Sequence, residues 1–149
     1  MKESRTNRGF TLLELVIVIL IISISTAIVY ISISIAEKKA LLKDTARRIF
    51  ISLRYIKEMA IMQRKTMGFM VEDNGRAYSI IQINNEEEGS YILIKQVEIK
   101  RGIVIDGEGI VFYPLGNSTG GTIMVSDSEN RQMRITVDDT TGTIKIESD

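Results

Sequence analysis

Arg8-Gly9-Phe10-Thr11-Leu12-Leu13-Glu14 opens the stretch that decides how this chain folds, and Leu15 to Ala36 completes it without a charged residue. As a helix the uncharged run would be about 33 Å long at a rise of about 1.5 Å per residue, enough to cross a hydrocarbon core of about 30 Å. Lys2, Arg5 and Arg8 stand before it, and Glu14 is the lone carboxylate at its N-terminal edge. A charge there is costly in lipid, which makes Glu14 a functional candidate. Ile and Val dominate the run and favour strands in water. In lipid, however, an isolated strand leaves its backbone unpaired and a helix does not. Ser23, Ser25, Thr26, Ala27, Ser32 and Ser34 are small, which lets neighbouring helices approach closely.

Working outward, neither Gly nor Pro occurs between Phe10 and Thr66, and the pattern predicts one helix from Phe10 to about Lys65. Beyond Ala36 it becomes amphipathic: Leu42, Ala46, Ile49, Leu53, Ile56 and Ala60 recur at alternating spacings of four and three. Leu41, Phe50 and Met59 widen this stripe beyond a two-stranded seam, so it is expected to pack on the chain's own sheet. From Met67 the period becomes two. Strands are predicted at Gly68–Glu72, Arg76–Ile83, Tyr91–Ile99, Ile103–Ile105, Ile110–Tyr113, Thr122–Ser126, Gln132–Val137 and Thr143–Glu147, separated by turn signals such as Asp73-Asn74-Gly75 and Thr141-Gly142. Tyr91–Ile94 is apolar throughout and is expected to be buried on both faces. The fold class is therefore α+β: a long N-terminal helix, transmembrane in its first half and amphipathic in its second, packed on an antiparallel β-sheet head.

Composition narrows the chemistry. Among 149 residues there is no cysteine and no histidine. Disulfides and thiol chemistry are excluded, and the commonest general base and metal ligand are missing. No catalytic residue, metal site or cofactor is expected. Gly116-Asn117-Ser118-Thr119-Gly120-Gly121 lacks the Gly-Lys-Ser/Thr ending of a phosphate loop and reads as structural. Glu86-Glu87-Glu88 and Asp138-Asp139 do not match a calcium-loop spacing and read as solvated turns. The zero net charge is unevenly spread. Glu37–Lys65 carries nine basic residues against three acidic, and Thr66–Asp149 seven basic against fourteen acidic. A basic helix next to a membrane and an acidic head suit headgroup contact and filament packing. An acidic head whose only cations after Arg101 are Arg131, Arg134 and Lys145 makes DNA an unfavoured partner.

Arg8-Gly9-Phe10-Thr11-Leu12-Leu13-Glu14 with its apolar run resembles the processing motif of type IV pilins and of the pseudopilins of type II secretion. The resemblance implies that a prepilin peptidase cuts between Gly9 and Phe10 and that the new N-terminal Phe10 is methylated. The residues agree with it. Such a cut creates an α-amine four residues before Glu14 on the same helix face, so the amine of an incoming subunit can neutralise Glu14 of one already assembled. Phe112, Pro114, Gly116, Gly120-Gly121 and the ending Ile135-Thr136-Val137 then Gly142-Thr143-Ile144 resemble the GspH/FimT kind of minor pseudopilin and pilin. That resemblance implies a non-enzymatic structural subunit of a type II secretion pseudopilus or type IV pilus. The division implied is residues 1–9 as leader, 10–36 as transmembrane and filament-core helix, 37–66 as amphipathic continuation and 67–149 as β head. The partners implied are other pseudopilins or pilins, the prepilin peptidase, the inner-membrane assembly platform and membrane lipid. The alternative is a minor pilin whose head binds DNA or a surface.

Two features pull against this assignment. Six basic residues lie within about twenty positions after Ala36, which by positive-inside counting favours a cytoplasmic head; the leader motif, being more specific, implies a single pass of the bacterial inner membrane with the head in the periplasm or exterior. Ser34-Ile35-Ala36 resembles an ordinary signal-peptidase site, but the apolar run exceeds the usual core of such signals.

Overall fold

The computed structural model describes residues 11–84 and 89–148, apart from the side chains of residues 27–35 and 148. The predicted cut at Gly9–Phe10 and the cluster Glu86-Glu87-Glu88 lie outside the described residues. Thr11 starts the fold: its Oγ1 accepts a hydrogen bond from the Glu14 backbone N–H at 3.2 Å, satisfying one of the donors that a helix start leaves open. Helix α1 then runs Leu12–Gln63. It stops where Arg64 turns left-handed at φ 53° and the Lys65 N–H reaches back to the Ala60 carbonyl at 3.2 Å. This closure is usually built on glycine. The expected end at Lys65 lies two residues beyond the observed one because arginine carries no stop signal.

The chain divides into two units between Glu37 and Lys38. In the first, α1 is apolar all round. Leu12, Leu13, Leu15 and every Val, Ile and Leu from Val16 to Ile24 are exposed. Ser23 and Thr26 donate their hydroxyls to the carbonyls of Ile19 and Ile22, both at 2.8 Å. Their polar atoms are thus satisfied within the helix.

The second unit is a helix against two antiparallel sheets. The strands are β1 Met67–Glu72, β2 Ala77–Ile83, β3 Tyr91–Glu98, β4 Ile103–Gly107, β5 Ile110–Phe112, β6 Gly121–Asp127, β7 Gln132–Val137 and β8 Ile144–Ser148. One sheet has the order β3-β2-β1-β5 and the other β4-β6-β7-β8. Every predicted strand is present, Gln132–Val137 with the bounds expected and the others with ends shifted by at most two residues. Between β4 and β5 the chain changes sheet, so that Ile110 pairs with Phe69 and Phe112 with Met67.

The helix stripe is the spine of the core. Leu42, Ala46, Ile49, Leu53, Ile56 and Ala60 are all buried, against Phe69, Tyr78 and Ile80 of one sheet and Ile105, Ile123, Val125, Ile135 and Val137 of the other. This bears out the expectation that the stripe packs on the chain's own sheets. Phe69 and Tyr78 stack with ring centroids 4.9 Å apart, and the Tyr78 hydroxyl lies 3.0 Å from Ser52 Oγ on the helix. Tyr91–Ile94, by contrast, is not buried: all four residues are exposed, between 42% and 57%. β3 is an edge strand of its sheet, and only Val97 and the following Ile99 reach the core. An unbroken apolar run says nothing of whether a layer exists to cover it.

Candidate functional site

The residues that carry the sequence signal sit at the start of α1. Thr11 occupies the cap and Glu14 the third helical position, the arrangement of a capping box, in which Thr and Glu stand three apart. The half that Thr11 supplies is formed. The pattern Thr-x-x-Glu was readable in the sequence, and it gives Glu14 a local role beside any role between subunits. Glu14 is exposed, and its carboxylate has no ion-pair partner among the described residues. In the first turn a negative charge is also favoured by the helix dipole. The start of α1 thus presents apolar side chains on every side and one acid at its tip. A surface of that kind is stable only in lipid or among other helices. Among the described residues no helix is long and apolar enough to cross a membrane. The described side chains of the uncharged run break off at Thr26 and resume at Ala36.

In the head, the glycine-rich loop is structural. Ser118 is buried; its N–H donates to the Asp139 carbonyl at 2.8 Å and its Oγ to the Asp138 carbonyl at 2.9 Å. The loop is thereby fastened to the β7–β8 turn. Gly116, Gly120 and Gly121 all take positive φ, of 91°, 70° and 139°, as expected where the sheet reverses. Asp138 organises its own turn. Its carboxylate accepts from the Thr141 hydroxyl and N–H at 2.7 and 2.8 Å, and these bonds hold its pKa below the usual carboxylate value. Lys57 Nζ donates to the Thr141 carbonyl at 2.8 Å, tying the turn to the helix.

At the opposite turn, β6–β7, Asp127 is buried. Its Oδ1 accepts from the backbone N–H groups of Glu129 and Arg131 at 2.9 and 3.1 Å, and its Oδ2 from Arg131 Nε at 2.6 Å. Burial alone would push the Asp127 carboxyl up; these donors outweigh it and hold it below the usual value. Arg131 also reaches Glu129 at 3.3 Å, which in turn bonds Lys38 at 2.8 Å. One of the three C-terminal cations considered for DNA is therefore committed to carboxylates. A cleft of about 640 Å³ lies between Asp73, Arg76 and the Glu98–Val104 connection and mixes both signs of charge. Among the described residues no group of acidic side chains is placed to hold a metal.

The model of the prokaryotic N-terminal methylation motif matches residues 4–30, and that of the type II transport protein GspH matches residues 45–141, more than half of the chain. The chain belongs to the GspH family. A search of curated proteins by sequence finds no significant match. Among solved structures, this GspH-family chain is similar to the minor pseudopilin EpsH from the type II secretion system of Vibrio cholerae, with TM-score 0.64 and 16% identity over 74% of this chain and 97% of that one. It is likewise similar to the type IV minor pilin FimU of Pseudomonas aeruginosa (TM-score 0.59, 16% identity, 74% and 90% covered) and to GspH of Escherichia coli (0.59, 11%, 73% and 89%). At these identities the likeness establishes the fold: a helix against antiparallel sheets, as the sequence predicts.

Proposed function

We propose that this GspH-family chain is a non-enzymatic structural subunit that polymerises into a type II secretion pseudopilus or a related type IV filament. The supporting observation is the start of α1, where an all-round apolar, exposed helix carries one carboxylate, Glu14, with no ion-pair partner among the described residues, inside a matched N-terminal methylation motif. In this reading residues 1–9 are a leader, removed by a prepilin peptidase between Gly9 and Phe10, and Phe10 is then N-methylated. Residues 10–36 lie in the bacterial inner membrane before assembly and in the filament core after it. Residues 37–66 continue the helix, and 67–149 form the head on the periplasmic or outer side, with the assembly platform acting on the membrane segment. The Phe10 amine of an incoming subunit neutralises Glu14 of its neighbour and fixes axial register, because an unpaired charge among apolar helices is costly and a paired one much less so. A DNA-binding head is less well supported, since the head is acidic and Arg131 is held by Asp127 and Glu129.

The test separates charge pairing from helix capping. Glu14→Gln keeps a residue suited to the capping position and removes the charge; Glu14→Leu removes both. Both variants are expected to insert and to be cleaved normally while filament incorporation falls at least about tenfold. Normal incorporation of Glu14→Gln would remove the pairing role.

A further inference from the structure

A groove of about 490 Å³ opens between α1 and the β6–β7 turn, lined by Lys39, Leu42, Lys43, Arg131 and Met133 among others. Lys39 and Lys43 are one helical turn apart and share a face. Both are exposed, and neither has an ion-pair or hydrogen-bond partner among the described residues. Three charged side chains beside them are already matched. Lys38 bonds Glu129 at 2.8 Å, Asp44 holds Arg48 at 2.9 Å, and Arg131 is gripped by Asp127 at 2.6 Å. The wall opposite the lysines is fixed by the hydrogen bonds that Asp127 accepts within its turn. Leu42 is buried beside the lysines, and Met133, half-buried, packs against the core.

Two uncommitted ammonium groups above a Leu42–Met133 floor suit a phosphate ester that carries hydrocarbon. A free phosphate would gain nothing from the apolar floor. The position in the sequence points the same way: Lys39 and Lys43 come three and seven residues after Ala36, the last residue of the uncharged run. Basic residues there oppose export of the head by positive-inside counting, a cost offset if they meet an anionic surface on the far side. We infer that this groove is a binding site for the headgroup of an anionic phospholipid, with Lys39 and Lys43 pairing with its phosphate. The inference rests on the proposed membrane location of residues 10–36.

The full chain is reconstituted into vesicles of phosphatidylcholine or of an equimolar mixture of phosphatidylcholine and phosphatidylglycerol, then extracted in neutral detergent, and the co-retained lipids are quantified by mass spectrometry. The chain is expected to retain phosphatidylglycerol in preference to phosphatidylcholine. Lys39→Gln and Lys43→Gln each lower that preference about fivefold, the scale of one basic side chain at an anionic surface. Arg47→Gln, one turn further along and outside the groove lining, lowers it little. An equal loss with Arg47→Gln would replace the site by diffuse attraction and overturn the inference, as would no loss with either lysine variant. Inorganic phosphate added to the lipid-free chain in detergent should leave the lysine ammonium resonances unchanged; saturable shifts would assign the groove to a free anion instead. Flotation with pure phosphatidylcholine vesicles checks the underlying reading separately. A chain that fails to float loses both the membrane location and the site, whereas one that floats without lipid preference loses the site alone.

Discussion

Asp127 shows how one side chain ties sequence, packing and pH response together. Its folded pKa lies below the ordinary 3.8: burial raises it, but the Arg131 guanidinium and two backbone N–H groups lower it by more. A depressed carboxylate contributes stability that is complete well above that ordinary value and is lost as pH falls through the folded one. Asp127→Asn is therefore expected to lower the thermal midpoint at neutral pH and to flatten its decline between about pH 5 and pH 2. Asp44, held down by Arg48 in spite of desolvation, and Asp138, held down by Thr141, retain their own acid dependence in that variant. Thermal melts across that range check the slope; an acid limb as steep as the parent's would assign it to other groups. A second residue-scale contrast concerns glycine. Gly142 has φ 59°, and a Cβ there would stand 2.3 Å from the Gly116 carbonyl oxygen, whereas Gly102, at φ 88°, has nothing within 4 Å. Gly102→Ala should cost about 1 kcal/mol for its left-handed backbone, and Gly142→Ala about 3 kcal/mol, because the two loops must also part. Equal costs in chemical denaturation would mean that the loops yield freely.

At the scale of elements, the stripe down α1 and the exposed strand β3 behave oppositely, and each is open to a mutational check. Leu53, on α1, is fully buried in the core that the helix shares with both sheets, so Leu53→Ala should destabilise the head by about 2–5 kcal/mol, the range for emptying a buried leucine site. Leu93 is 53% exposed on an edge strand, and Leu93→Lys should change stability by no more than about 0.5 kcal/mol. A large loss from Leu93→Lys would show that this strand is covered. The stripe was legible because spacings of three and four have one geometric meaning, a helix face. The run at Tyr91–Ile94 was not, because an apolar strand looks the same at a sheet's free edge as at its centre. The helix stop at Arg64 was hidden for a related reason: the left-handed turn fell on an arginine.

For the molecule as a whole, the decisive quantity is where the mature chain begins. The proposed cleavage after Gly9 would place Phe10 at the N-terminus with an added methyl group, and the intact mass of chain extracted from membranes is expected to match that species. A mass that retains Met1, or one that begins at Glu37, would break the link between the apolar helix and polymerisation. The assignment draws on both ends of the molecule. The methylation motif covers residues 4–30 and the GspH model residues 45–141, so the stem and the head point independently to one kind of assembly.

The sequence by itself determined the α+β class, the helix stripe, the eight strands and the candidacy of Gly9, Phe10 and Glu14, because periodicity and a spaced motif are local properties of the chain. The tertiary structure alone decided which strands share a sheet, that β3 lies at an edge, and that Asp127, Arg131, Glu129 and Lys38 form one network. Those facts depend on contacts between residues as many as 91 positions apart in the chain, as for Lys38 and Glu129, and no local pattern encodes which distant partner a charge will meet.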